Sequence, residues 1–125
     1  MIEIKTQKIY DSDVVVPGSK SYTHRILIAA ALSDGVCNIK NGLKIEDTLL
    51  TLGALKQMGI TIEIWDDRFV VYGERGRLKP CHDWVYLGNS GTSMRLLTAV
   101  ASLGQGCYTL YGIKRMEERP IQDLL

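Results

Sequence analysis

The sequence has 125 residues, of which 46% are hydrophobic, and its formal net charge at pH 7 is +1. This composition excludes a disordered chain, and the near-zero charge excludes the strongly basic surface that bulk binding to nucleic acid or to an acidic membrane requires. No apolar run reaches the roughly 18 residues of a membrane-spanning helix, and the first residues lack the zones of a secretory signal or transit peptide, so we expect a cytoplasmic protein or a mature form cut before Met1.

The first 16 residues predict one or two β-strands. Ile2 and Ile4 alternate with polar residues, and Val14–Val16 is a run of β-branched residues, a composition typical of strands. Pro17-Gly18 then interrupts the pattern.

A helix is predicted after this break, because Ser19 or Ser21 can cap it and apolar residues follow at helical spacing until about Asp34-Gly35. A short strand over 36–40 and a second helix that stops at Gly59 come next.

The next elements complete the first copy and begin a second one. Ile60, Ile62 and Ile64 alternate with polar residues, and a turn at Asp66-Asp67 leads into the apolar run 69–72, so these two segments are predicted to form a β-hairpin. They are followed by a predicted strand over 84–87, a helix over 92–103 and a strand over 107–111. The fold class is therefore α/β (α+β), built from a β-α-β-α-β-β unit that begins twice.

An internal repeat supports this interpretation. Four matched pairs of residues are each separated by 70 positions: Arg25 and Arg95, Cys37 and Cys107, Gly42 and Gly112, Lys44 and Lys114. Self-similarity at a fixed period is typical of stacked supersecondary units, and such units usually build one composite site.

Both copies place a Gly/Ser-rich turn at the start of a helix, where free amide groups and the helix dipole favour anions. In the first copy, Lys20 and Ser21 add a charge and a donor, and Arg25 adds a fork suited to phosphate or carboxylate. In the second copy, Gly91 allows close approach to the backbone and Arg95 follows one turn later. Taken singly, each stretch is also typical of an ordinary capped helix with solvated cations.

The end of the chain predicts a truncation. Pro120 suits the first position of a helix, but only about one turn can follow before Leu125, whereas an isolated helix needs about 12 residues. We therefore expect a sequence cut inside its second copy.

Three motifs in order resemble those of the 5-enolpyruvylshikimate-3-phosphate (EPSP) synthase family, the 3-phosphoshikimate 1-carboxyvinyltransferases. They are Pro17 to Ser21 followed by His24-Arg25, Leu87 to Thr92 followed by Met94-Arg95, and Arg115-Met116 followed by Arg119 to Ile121.

The resemblance implies an inside-out barrel of two domains, each made of three β-α-β-α-β-β units, with about one and a half units present here. It implies that residues 1–17 belong with the absent domain and cross the hinge at Pro17-Gly18. Residues 18–125 are then a partial domain, with repeat one at 18–87 and an incomplete repeat two at 88–125.

The resemblance also implies site residues. Lys20, Ser21 and Arg25 match positions that contact shikimate 3-phosphate. Lys20, Gly91 and Arg115 match positions that contact phosphoenolpyruvate, where the herbicide glyphosate also binds.

Other motif positions are assigned less directly. Asn89, Thr92 and Arg95 are possible further contacts, while Ser90 and Ser93 stand where many members carry alanine. Separately, Arg119 is interpreted as a structural partner of the backbone or of a carboxylate.

The implied activity is transfer of the enolpyruvyl group from phosphoenolpyruvate to the 5-hydroxyl of shikimate 3-phosphate, in aromatic amino acid biosynthesis. The family's acid and base groups lie mainly in the other domain, so this stretch alone should be inactive. The resemblance implies a monomeric parent enzyme that needs no cofactor, and the net charge of +1 predicts binding to neither nucleic acid nor membrane. The wide spacing of three cysteines and two histidines predicts no structural zinc site.

Two alternatives remain at this point. One is the related enolpyruvyl transferase that acts on UDP-N-acetylglucosamine, although that enzyme typically has asparagine after the motif lysine, where Ser21 stands here. The other is a non-catalytic module that binds phosphate or RNA ends, which would need a basic surface.

Overall fold

A computed structural model describes residues 2–3, 5–6, 8 and 11–125. Its elements follow the predicted alternation of helices and strands, and within these ranges no helix is long and apolar enough to cross a membrane. In chain order they are α1 (Lys20–Leu32), β1 (Asp34–Lys40), α2 (Glu46–Gln57), β2 (Thr61–Ile64), β3 (Arg68–Glu74), β4 (Val85–Tyr86), α3 (Gly91–Ala101), β5 (Leu110–Tyr111), α4 (Lys114–Glu117) and a 3₁₀ turn at Gln122–Leu124.

The strand predicted at Val14–Val16 is wrong. These residues are in no regular element, and their side chains are 78%, 94% and 66% exposed. A β-branched run forms a strand only where a neighbouring strand accepts its backbone hydrogen bonds, and no described strand pairs with it. The sequence also predicted a strand at Ile2 and Ile4, and Ile4 lies outside the described residues.

The first sheet has three antiparallel strands in the order β1-β3-β2. Asp34 lies opposite Glu74 at one end of the β1–β3 pair, and Thr61 lies opposite Tyr72 in the β2–β3 pair. This arrangement confirms the predicted hairpin of β2 and β3, and places β3 at the centre of the sheet.

The second sheet is a parallel pair, in which Val85 of β4 lies opposite Leu110 of β5 and α3 makes the crossover. A helix is the usual connection between parallel strands. The strand predicted over 107–111 is shorter than expected, because residues 107–109 have no strand structure.

The three long helices pack against one another, and α1 also packs on β3. Their shared core contains one fully buried large side chain from each element: Leu27, Leu55, Leu97 and Phe69. Full burial of such a side chain contributes about 1.5–3 kcal/mol relative to leaving it exposed. The core therefore fixes the three helices relative to one another.

We expect Gly73→Ala to destabilise the fold, because a Cβ there would overlap the Ser33 carbonyl oxygen and lie 2.6 Å from that of Ala30. Overpacking against backbone that cannot move aside should lower the free energy of unfolding by about 1–3 kcal/mol. Gly53→Ala is the matched control, since nothing lies within 4 Å of its Cβ position in α2. It should raise the free energy of unfolding by roughly 0.5–1 kcal/mol. Urea denaturation followed by circular dichroism measures both, and an equal loss in the two variants would contradict the steric explanation.

Candidate functional site

The two predicted anion-binding helix starts are called cradles here: the first is residues 17–25 and the second is residues 88–95. The first cradle lies at the start of α1. Ser19 is the N-cap, and its hydroxyl accepts a hydrogen bond from the Tyr22 amide at 3.4 Å. Thr23 Oγ1 donates to the Ser19 carbonyl at 2.8 Å and accepts from the Leu43 amide at 2.9 Å. A Cβ on Gly18 would overlap backbone of the same loop that contains Leu43. The helix start is therefore held against the loop that follows β1.

The second cradle lies at the start of α3 and is capped in the same way. Ser90 is the N-cap, and its hydroxyl accepts from the Ser93 amide at 3.3 Å. A Cβ on Gly91 would lie 2.6 Å from a guanidinium nitrogen of Arg119 and 3.4 Å from one of Arg95. Glycine at position 91 therefore leaves room for two cations beside the backbone.

Both helix starts open into one polar pocket of about 330 Å³. The pocket is formed by the first turns of α1, α2 and α3, the turn before α3, and the segment after α4. Its lining residues are Lys20, Asp47, Asn89, Gly91, Thr92, Arg95 and Arg119. The structure thus brings together Lys20 and the predicted residues of the second cradle, which are far apart in sequence.

The charges that line this pocket favour an anion. Lys20, Arg95 and Arg119 supply three cations against the single carboxylate of Asp47. The Lys20 ammonium lies 2.8 Å from Asp47 Oδ2, and the two side chains are 48% and 30% exposed. A pair this exposed contributes at most about 1 kcal/mol, so a bound anion can compete for the lysine. Each helix start adds roughly half a positive charge.

Ser21 and Arg25 are not among the residues that line this pocket. The Arg25 guanidinium donates to the Ser21 hydroxyl at 2.5 Å and to the Ser21 carbonyl at 3.0 Å. Together with Tyr22 they line a separate recess. A step of one residue turns a side chain by about 100° around a helix, so Ser21 and Lys20 face different directions from α1.

The structure distinguishes the two arginines near the end of the chain. Arg115 is exposed on α4 and is not among the residues that line the pocket with Lys20 and Gly91. Arg119 is half-buried and does line it. Arg95 donates to the Pro120 carbonyl at 2.7 Å, which holds the segment that carries Arg119. Of these two arginines, Arg119 alone is among the residues that line this pocket.

Sequence reasoning missed Asp47 and gave Arg119 only a structural role. An acidic residue in the first turn of a helix is typical of simple dipole stabilisation, so the sequence held no separate signal for Asp47. For Arg119 a signal did exist, since proline disfavours helical backbone in the residue before it. That restriction separates Arg119 from the short helix that carries Arg115.

A buried hydrogen-bonded chain lies beneath the pocket. His24 Nδ1 is 2.8 Å from Thr51 Oγ1, which is 2.7 Å from Ser93 Oγ, which in turn is 2.6 Å from Ser90 Oγ. His24 Nε2 has no hydrogen-bond partner. Burial lowers the pKa of His24; the Asp47 carboxylate opposes this shift, while nearby cations add to it.

Comparison with known proteins gives a consistent family. Residues 4–125 match the family described as EPSP synthase (3-phosphoshikimate 1-carboxyvinyltransferase). A 3-phosphoshikimate 1-carboxyvinyltransferase of Methanothermobacter thermautotrophicus is 44% identical over 115 residues, which are 92% of this chain and 27% of that protein. One from Neisseria meningitidis serogroup B is 42% identical over 99% of this chain and 29% of its own length. The EPSP synthase structure from Acinetobacter baumannii superposes with a TM-score of 0.82 at 34% identity, covering 87% of this chain and 25% of that one.

We expect stability to fall as the pH falls, because His24 binds a proton less readily in the folded than in the unfolded chain. The unfolded state then binds more protons, so this contribution is complete above the unfolded pKa of about 6.5 and is lost as pH falls through the lower folded pKa. His24→Gln should remove this part of the pH dependence, and His82→Gln, at an exposed histidine, should retain it. Urea unfolding at a series of pH values between about 5 and 8 measures the slope. An unchanged slope in His24→Gln would contradict the role assigned to that residue.

Proposed function

This chain belongs to the EPSP synthase family, and from that premise we propose that it forms part of an enzyme that transfers an enolpyruvyl group. The chain spans roughly a quarter of the length of the relatives it matches. The proposed reaction of the whole protein joins phosphoenolpyruvate to the 5-hydroxyl of shikimate 3-phosphate and releases phosphate. The 125 residues contribute one wall of the site.

The observation that carries this proposal is the single pocket shared by the two helix starts. Both proposed substrates carry phosphate and carboxylate groups and repel each other in water. A site that holds them side by side needs several cations fixed in place, and Lys20, Arg95 and Arg119 meet that need in one pocket. Amide groups at the starts of α1 and α3 add donors that require no reorganisation.

Within this pocket we assign roles by position. Lys20 belongs to the first cradle, lines the pocket that both cradles share, and contacts both substrates. Gly91 and Arg119 bind phosphoenolpyruvate, with Arg119 replacing the Arg115 expected from sequence. Ser21 and Arg25 bind shikimate 3-phosphate in the separate recess. Asn89, Thr92 and Arg95 complete the polar wall, with Arg95 also holding the segment that follows α4.

The proposed chemistry is an addition followed by an elimination. The 5-hydroxyl oxygen bonds to C2 of phosphoenolpyruvate, its proton is taken up by a base, and the C3 methylene gains a proton. Phosphate then leaves C2 and C3 returns a proton, which restores the double bond. The cations at Lys20 and Arg119 stabilise charge as it develops on the phosphate and carboxylate oxygens. The acid and base groups belong to the other domain in this proposal.

The remaining expectations stay predictions under this proposal. Residues 18–125 are a partial domain with repeats at 18–87 and 88–125, and residues 1–17 cross to a second domain. A cytoplasmic location and a monomeric parent enzyme are likewise expected.

Arg119→Ala should weaken binding of phosphoenolpyruvate by about tenfold to a hundredfold, because a hydrogen bond to a charged group is worth about 1.5–3 kcal/mol. Arg115→Ala is the matched control and should leave affinity within about twofold, since Arg115 is exposed outside the pocket. Titration followed by NMR measures both constants, because affinity for a partial site is expected to be weak. A larger loss of phosphoenolpyruvate affinity in Arg115→Ala than in Arg119→Ala would assign the contact to Arg115. A wild-type chain that binds neither substrate would refute the proposed function.

The 125-residue chain should show no turnover, because its lining residues offer positioning and charge without the paired acid and base groups of the proposed reaction. Release of inorganic phosphate from phosphoenolpyruvate in the presence of shikimate 3-phosphate measures this directly. A rate above that of a boiled sample would show that the proposed division of the active site is wrong.

A further inference from the structure

A buried hydrogen-bonded chain that runs from His24 to Ser90 links three helices through polar side-chain atoms. His24 belongs to α1, Thr51 to α2 and Ser93 to α3, and Ser90 caps α3. All four side chains are at most 1% exposed. Three consecutive hydrogen bonds of 2.6–2.8 Å connect them. Such a chain restricts how the helices can slide, since each bond tolerates little change in distance or angle.

The members of this chain lie directly behind the pocket. On a helix, residues four positions apart occupy the same face one turn away from each other. His24 and Thr51 each follow a lining residue by four positions, and Ser90 and Ser93 flank the glycine of the second cradle. The corresponding lining residues are Lys20, Asp47 and Gly91.

The contact of Ser93 with a backbone carbonyl favours one direction of the hydrogen bonds. Ser93 Oγ also lies 3.3 Å from the Asp47 carbonyl oxygen, which can only accept. If Ser93 donates there, it must accept from Thr51, and Thr51 must accept from His24 Nδ1. His24 Nε2 is then an unprotonated acceptor without a partner. A buried acceptor without a partner is tolerated better than a buried N–H without one, which favours this direction.

We propose that the hydroxyl of Thr51, within this hydrogen-bonded chain, is a positioning group for the anion pocket. It fixes the first turn of α1, which carries Lys20, relative to the turn at Gly91. This inference rests on the proposed function for the identity of the anions. It goes further by assigning a role to Thr51, which does not line the pocket.

The test separates the hydroxyl of Thr51 from its volume. Thr51→Val keeps the volume and removes the hydroxyl, which leaves His24 and Ser93 without their shared partner. Thr51→Ser keeps the hydroxyl and removes a methyl group. We expect Thr51→Val to weaken binding of shikimate 3-phosphate and of phosphoenolpyruvate by about threefold to tenfold, and Thr51→Ser to stay within about twofold.

A control variant accounts for general loosening of the fold. Thr98→Val removes a part-buried hydroxyl that donates to Met94 within α3 at 2.7 Å and lies outside the buried chain. It should destabilise the protein without changing either dissociation constant. Urea unfolding of every variant confirms that the titrations compare folded samples.

The outcomes distinguish this inference from the proposed function. Equal weakening by Thr51→Val and Thr51→Ser would assign the effect to packing and overturn the positioning role. If the wild-type chain binds neither substrate, the proposed function fails, and hydrogen exchange at the Ser93 amide decides the positioning role alone. That amide donates to the Ser90 hydroxyl. Its exchange should be about tenfold faster in Thr51→Val and unchanged in Thr51→Ser, and protection retained in Thr51→Val would overturn the inference.

Discussion

The convergence of three helix N-termini on one pocket is the constraint on which this structure depends. Each N-terminus presents unpaired amides and a partial positive charge, and Lys20, Arg95 and Arg119 add three full charges. Like charges brought together in this way repel one another. Asp47 is the only carboxylate among the residues that line the pocket, and it is paired with Lys20. The lining of the pocket therefore carries an excess of positive charge, which favours an anion.

Hydrophobic packing behind the pocket offsets this repulsion. Leu27, Leu55 and Leu97 bring one fully buried side chain from each of the three helices into the core. Packing of this kind is not directional, so it holds the helices together without setting the fine spacing of their ends. The hydrogen-bonded chain that includes His24 adds direction, because its bonds require fixed distances. The buried Nε2 atom of His24 has no hydrogen-bond partner, which lowers the stability of the fold locally. Native proteins tend to retain such unsatisfied polar groups near functional sites.

The internal repeat is less symmetrical in structure than in sequence. Arg25 and Arg95 are 70 residues apart, but the N-caps that precede them, Ser19 and Ser90, are 71 apart. A shift of one residue turns a side chain by about 100° around a helix, so the two arginines face different surroundings. Arg25 bonds to its own helix, whereas Arg95 reaches the Pro120 carbonyl. Two similar segments therefore build one asymmetric pocket.

The sequence by itself determined the three long helices, the β2–β3 hairpin and the family. These features depend on neighbours within a few residues, such as Ser19 before α1, or on motifs that stay recognisable without coordinates. Only the tertiary structure placed Arg119 in the lining of the pocket, paired Asp47 with Lys20, and left Val14–Val16 outside any strand. Each of these outcomes depends on a partner distant in sequence, and local propensity carries no information about which distant group will be there.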